Sequence, residues 1–326
     1  MSTVSIIVPV YRGTAAARRC VLSIARQTRP VDELVLVDDR GRDGAFEAAV
    51  QEARMHGVRC IEVRQESNRG VSAARNSGLA AASGEFVGFV DADDAIEPDF
   101  VAELSQLLAQ YDVNLAVCGS VRVSTDGRRA KDIEDVGFPL VLSGQAYARK
   151  LLTDDAKGYV CNKLFRRTSL GAAPFAEGRV YEDFPVVLAI ALESERVAFS
   201  PRPMYLYTLA DGSVSRRFGP HVGDLDSQLV DVRRIVGERS GLDAELRAHR
   251  VGGVVLPMAN MAWRARHDPE VATDDRLAVD LITRARRLLR VSDMPMLALN
   301  GHRRLALAAG MLKASPALYG RVLRYR

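Results

Sequence analysis

Two aspartates separated by one residue, Asp91 and Asp93, sit in the run FVDADD. On an extended segment side chains alternate, so positions i and i+2 point the same way. Carboxylates held that close repel each other unless a cation lies between them. Hard divalent ions such as Mg2+ and Mn2+ take carboxylate oxygens, waters and substrate phosphates. The pattern therefore suits an ion bridging the protein to a diphosphate. The plainer alternative is an acidic loop ahead of the helix that Pro98 opens, since Asp often precedes helices. Upstream, NRGVSAARNSG (68–78) combines Gly70, a helix start near Ser72 and Arg75 one turn inside. A helix N-terminus can hold an anion and an arginine can pair with phosphate; a capped surface helix with an incidental arginine is the alternative. Gly78 on a helix face admits close approach of another backbone. In YLYTLADGSVSRR (205–217), Tyr205 and Tyr207 mark one face of a strand, and a Gly- and Ser-bearing loop follows. Ser213, Ser215, Arg216 or Arg217 could close over a diphosphate there, with His221 just beyond.

The elements that must position these residues alternate. Val4–Val10, Leu34–Val37, Val58–Val63, Phe86–Val90 and Val113–Cys118 read as strands. Helical patterns lie between them: after a cap at Thr14, over Ala45–Met55, over Ser72–Ala82, and from Pro98 to Tyr111. Strict alternation implies a parallel sheet covered on both faces, and such sheets bind ligands beyond the carboxyl ends of their strands. Three strand ends carry polar or acidic residues: Tyr11, then Asp38 and Asp39, then Asp91 to Asp94. All are expected on one edge. From Val121 to Leu209 the pattern is less regular, with strand pieces at Val121–Val123, Val197–Phe199 and Met204–Tyr207. After Pro220 it is nearly all helix, over Val222–Glu238, Glu245–Arg266, Leu277–Leu289 and Arg303–Lys313, with Pro257 expected to kink or split the second. The expected division is 1–218, with halves 1–120 and 121–218, followed by a helical region, 219–326.

Composition narrows the classes. With 326 residues, 48% hydrophobic and 26% charged, the chain is an ordinary globular protein of about two domains. The net charge of +4 is uneven: from Arg276 to Arg326 eleven Arg and Lys face two acids, Asp280 and Asp293. A basic amphipathic tail suits an anionic membrane surface, a partner subunit or a solvated face. Cys20, Cys60, Cys118 and Cys161 have no paired spacing, which argues against a zinc site or a disulfide frame. Neither G-x-G-x-x-G after the first strand nor G-x-x-x-x-G-K-[ST] is present, which disfavours a dinucleotide dehydrogenase and a P-loop NTPase. MSTVSIIVPVY is not a signal peptide, and no apolar run reaches the ~20 residues that span a bilayer. The expected location is cytoplasmic, with peripheral contact at the inner membrane face and a homodimer both open, and no nucleic-acid partner.

VSIIVPVY, SIARQTRPVDELVLVDD, NRGVSAARNSGLAAASGEFVGFVDADD, NKLFRR and EGRVYEDF occur in order over Val4–Arg217. Together they resemble family 2 glycosyltransferases of the GT-A fold: an α/β, Rossmann-like, mostly parallel sheet flanked by helices. The resemblance implies inverting, divalent-metal-assisted (Mn2+ or Mg2+) transfer from a nucleotide diphosphate sugar, usually a UDP-sugar, to a glycan, lipid-linked or small-molecule acceptor. It implies that Pro9, Val10 and Tyr11 line the base pocket and that Asp38 or, preferably, Asp39 receives the base. Asn68, Gly70, Arg75 and Ala92 join the donor site, Arg75 on the diphosphate. Asp91 would face the ribose or a metal-bound water, Asp93 would ligate the metal, and Asp183 of the Glu182-Asp183 pair would be the general base. Asp183, just before the apolar run Pro185–Leu192, also fits a helix cap. Two departures stand out: Arg40-Gly41 where the family often has Gly-Ser or Asn-Ser, and Cys161 where it often has Trp. A nucleotide-sugar-binding scaffold of the same fold stays open. A sugar-nucleotide pyrophosphorylase would want a longer Gly-rich loop than Tyr11–Thr14.

Overall fold

The computed structural model describes residues 2–124, 128–134, 137, 140–208, 218–237, 241–267 and 275–323. Strands β1 (Val4–Val10), β2 (Glu33–Asp38), β3 (Cys60–Arg64) and β4 (Phe86–Phe89) form a parallel half-sheet in the order β3-β2-β1-β4. Val10 is level with Asp38, and Ile7 with Phe89. β1, β2 and β4 are covered on both faces, which is why they read as unbroken apolar runs. Helices α1 (Thr14–Ala25), α2 (Ala45–Met55) and α3 (Val71–Ala81) connect them. α1 is preceded by left-handed Gly13; Thr14, the expected cap, is its first residue and donates its hydroxyl to the Asp43 carbonyl. α3 lies low on the sheet because Gly78 has no side chain: a Cβ there would stand 2.4 Å from Ile7 Cγ2.

Beyond β4 the strand order is β4-β9-β6-β10-β5, with β7 on β6 and β8 on β10, completing a ten-stranded sheet. Here β5 is Ala95–Ile96, β6 Leu115–Val123, β7 Arg129–Glu134, β8 Val141–Ser143, β9 Lys163–Arg166 and β10 Arg196–Thr208. The linear alternation could not foresee β9, which comes from the NKLFRR stretch and runs antiparallel between β4 and β6. The separate pieces expected at Val197–Phe199 and Met204–Tyr207 are one strand. β10 runs parallel to β6, and its register slips on either side of Pro203. A proline offers no N–H to the ladder, so the strand bulges there. α4 (Phe100–Tyr111), α5 (Gly144–Leu152) and α6 (Asp183–Glu193) complete the set before residue 196.

Two compact units result: Met1–Tyr147 with Gly158–Asp211, and Ala148–Lys157 with Gly212–Arg326. The second holds α7 (Asp224–Val236), α8 (Asp243–Ala248), α9 (Leu256–His267), α10 (Asp275–Leu288), α11 (Asp293–Leu299), α12 (Arg303–Ala314) and α13 (Pro316–Leu323). The long helix expected over 245–266 is split by a π-helical stretch, His249–Val255, just ahead of Pro257. Proline has no N–H and clashes with the carbonyl four residues back, and a wider turn removes both conflicts. Asp293, fully buried, receives Arg247, Arg250 and the Arg290 backbone N–H, tying α8 and the π-turn to α11.

Candidate active site

The carboxyl ends of β1 and β2 frame a cavity of about 210 Å³ lined by Tyr11, Asp38, Arg40, Phe46 and Arg64, with the backbone of 41–44 between them. Gly41 makes this closure possible: a Cβ there would fall 1.0 Å from the Tyr11 carbonyl oxygen. Arg12 stacks its guanidinium 4.9 Å from the centroid of the half-exposed Tyr11 ring. Of the three residues expected to line the base pocket, only Tyr11 faces this cavity. Val10 turns its side chain into the core and offers its carbonyl to the Asp39 N–H (2.9 Å).

The two adjacent aspartates part company. Asp38 borders the cavity, but its carboxylate is held by the Arg40 N–H (2.8 Å), Arg40 Nη1 (3.3 Å) and Arg64 Nη1 (3.6 Å). Asp39 has no such ion pair with Arg40 or Arg64; its Oδ1 accepts the Arg69 N–H at 2.9 Å, and burial pushes its carboxyl pKa up. Gly70, at φ 85°, turns the chain from exposed Asn68 into α3.

Past β4 the chain makes a tight turn, with the Asp94 N–H donating to the Asp91 carbonyl at 3.0 Å. Ala92 is buried, and Asp93 is the exposed apex. The low-dielectric protein beneath Asp93, and then the charge of Asp91, push its carboxyl up to about 6. None of these acids caps α4. Asp94, only 2% exposed, accepts the Tyr205 hydroxyl and the Thr208 N–H instead.

Arg75 is the hub. Buried on α3, it places Nη1 2.6 Å from both Glu182 Oε1 and Asp183 Oδ1, and Nη2 2.9 Å from Asp91 Oδ1. Burial works against its charge, but Asp183, Asp91 and Glu182 outweigh it and raise the guanidinium pKa. The expected phosphate-facing arginine is thus committed, at both terminal nitrogens, to three carboxylates. Burial, then Asp183, push Glu182 up to about 7; burial also raises Asp183 despite Arg75. The capping role considered for Asp183 is not what its side chain does: it is the first residue of α6, and Oδ1 goes to Arg75 while Oδ2 accepts the Val160 N–H at 3.3 Å.

Asn76, next along α3, was not singled out by sequence. Its amide pairs with both the Phe175 N–H (3.1 Å) and carbonyl (2.9 Å), anchoring the loop that delivers Glu182. The Phe175 ring lies 5.6 Å under Arg75. The adjacent polar pair Arg75-Asn76 was the available signal; the partner, Phe175, is 99 residues away and was not.

Arg75 therefore brings Asp91, Glu182 and Asp183 together, with Asp93 two residues from Asp91. Ser213, Ser215, Arg216 and Arg217 lie outside the described residues. His221 lies in a short turn, Pro220–Gly223, of the second unit.

The sequence model described as glycosyl transferase family 2 matches residues 5–172. Glycosyltransferase GlyA of Streptococcus pneumoniae is 31% identical over 65% of this chain and 31% of its own length. Putative glycosyltransferase EpsH of Bacillus subtilis is 27% identical over 66% of this chain and 63% of its own. The chain thus spans less than two thirds of either relative. Among solved structures, S. aureus TarS 1–349 in complex with UDP-GlcNAc aligns over 98% of this chain and 90% of that one, with TM-score 0.68 and 18% identity. Mannosyltransferase PcManGT from Pyrobaculum calidifontis, in complex with GDP-Man and Mn2+, aligns over 96% and 87%, with TM-score 0.57 and 19% identity. At such identities the likeness is one of fold.

Proposed function

The chain belongs to glycosyl transferase family 2, and on that premise we propose that it transfers a sugar, with inversion, from a nucleotide diphosphate sugar to an acceptor hydroxyl. The observation that carries this reading is the Arg75 hub, which gathers Asp91 from the β4 end and Glu182 and Asp183 from the start of α6. Inversion needs a proton acceptor opposite a leaving diphosphate, on one line through the anomeric carbon.

The nucleotide base enters beside Tyr11, with Asp39 its acceptor, because the Asp38 carboxylate is already neutralised by Arg40 and Arg64. A carboxylate takes an imide N–H, which suits uracil and hence a UDP-sugar. Asp93 is the direct ligand for Mn2+ or Mg2+: its exposed, destabilised charge is relieved by a cation, whereas Asp91 is already paired with Arg75. When bound, that ion supplies charge neutralisation at the leaving group.

Asp183 takes the acceptor proton. Its side chain is 19% exposed, against 7% for Glu182, so it can be reached while Glu182 holds Arg75. The acceptor is a glycan, lipid-linked or small-molecule hydroxyl. The basic C-terminal helices meet an anionic membrane surface at the cytoplasmic side; from Leu281 to Leu323 the only acid in the sequence is Asp293, and it is buried and paired.

Asp183→Asn keeps donor binding and lowers transfer by about 10²-fold or more, read by calorimetry and by product formation from UDP-, GDP- and dTDP-sugars. A fully active Asp183→Asn protein would remove the base assignment.

A further inference from the structure

Asp94 is the one aspartate of FVDADD with no place in the chemistry above, yet it is the most buried of them. Its two oxygens are taken by β10: Oδ2 accepts the Tyr205 hydroxyl at 2.5 Å and Oδ1 the Thr208 N–H at 2.8 Å. The same Tyr205 oxygen accepts the Asp91 N–H at 3.4 Å. A single phenol oxygen therefore bridges both ends of the Asp91–Asp94 turn. The ladder continues just below, with Leu206 paired to Ala95, Tyr205 to Ile96, and the Glu97 N–H on the Met204 carbonyl at 2.9 Å. No hydrogen bond from a neighbouring element is seen at the Asp93 carboxylate among the described residues; what fixes the apex is the clamp under it.

We propose that Asp94 and Tyr205 are positioning residues that set the direction of the Asp93 carboxylate toward its cation by clamping the Asp91–Asp94 turn to the end of β10. This rests on the reading of Asp93 as metal ligand. A ligand on an unclamped turn must be ordered when the ion binds, and that ordering weakens affinity.

The test is calorimetric titration of Mn2+ into protein saturated with UDP, alongside UDP binding without metal, for wild type, Tyr205→Phe and Asp94→Asn. Both variants are expected to weaken Mn2+ binding about 10-fold while metal-free UDP affinity stays within twofold of wild type. Should Asp94→Asn fail to fold, Tyr205→Phe, which removes one oxygen, decides alone. Mn2+ affinity within twofold of wild type in Tyr205→Phe overturns the proposal, as does an equal fall in metal-free UDP affinity, which marks a general structural role. If wild-type nucleotide binding does not respond to Mn2+ for either UDP or GDP, the metal assignment has failed first and the clamp goes with it.

Discussion

A buried guanidinium facing three carboxylates is a costly arrangement, stable only while the partners balance. Removing one side of a buried ion pair costs about 3–5 kcal/mol, so Arg75→Ala should lower stability by that order in urea titrations. Arg75→Lys should not rescue it: a point ammonium cannot span Glu182, Asp183 and Asp91 as a fork does. The same site sets a pH dependence. Asp183 must be ionised to accept a proton and its pKa is raised, while Glu182 titrates near 7. Transfer should therefore rise with pH through an acid limb above the ordinary aspartate range and fall as these groups protonate. A kcat/KM profile flat from pH 5 to 8 would contradict it. In the sequence, Arg75, Asp93 and Asp183 were visible as candidates from residue type and motif order. The hub was not, because two of its three partners, Glu182 and Asp183, lie 107 and 108 residues from Arg75, and no local pattern reports that closure.

At the scale of elements, the strands that hold the site were legible because burial on both faces leaves apolar runs, and their polar ends follow directly. The antiparallel β9 and the bulge of β10 at Pro203 were not, since pairing partners are set by tertiary packing. Gly78 marks how tightly α3 presses on β1 and β2. Gly78→Ala, its Cβ 2.4 Å from Ile7 Cγ2, should cost roughly 1–3 kcal/mol by overpacking, measured by chemical denaturation; a neutral substitution would mean that α3 can lift freely. In the second unit, His249 begins the π-turn and is buried, which lowers its pKa from 6.5 to about 4. Above pH 6.5 it is neutral folded or unfolded and contributes nothing. As pH falls toward 4 only the unfolded chain takes the proton, so stability drops by roughly 3 kcal/mol across that window. That slope should vanish in His249→Gln.

For the whole molecule, the charge asymmetry was plain in the sequence, but which apolar residues accompany it on the surface was not. Val291, Leu299 and Leu307 are 75%, 81% and 68% exposed, among Arg290, Arg303 and Arg304 in a stretch without an unpaired acid. No helix of the described residues is long and apolar enough to cross a membrane. The protein should sediment with vesicles containing phosphatidylglycerol but not with pure phosphatidylcholine. Arg303→Glu with Arg304→Glu should weaken that binding roughly 10-fold or more, and equal binding to both vesicle types would refute the membrane reading. Sugar transfer as proposed requires Asp93, just past the end of β4, to hold one cation against one diphosphate, with Asp183 at the start of α6. Its most direct test is anomalous diffraction at the manganese edge from crystals grown with UDP and Mn2+. The predicted result is a single strong peak within bonding distance of Asp93 and of a diphosphate oxygen, with the base beside Tyr11. Ordered UDP with manganese bound elsewhere, or with none at Asp93, would contradict it.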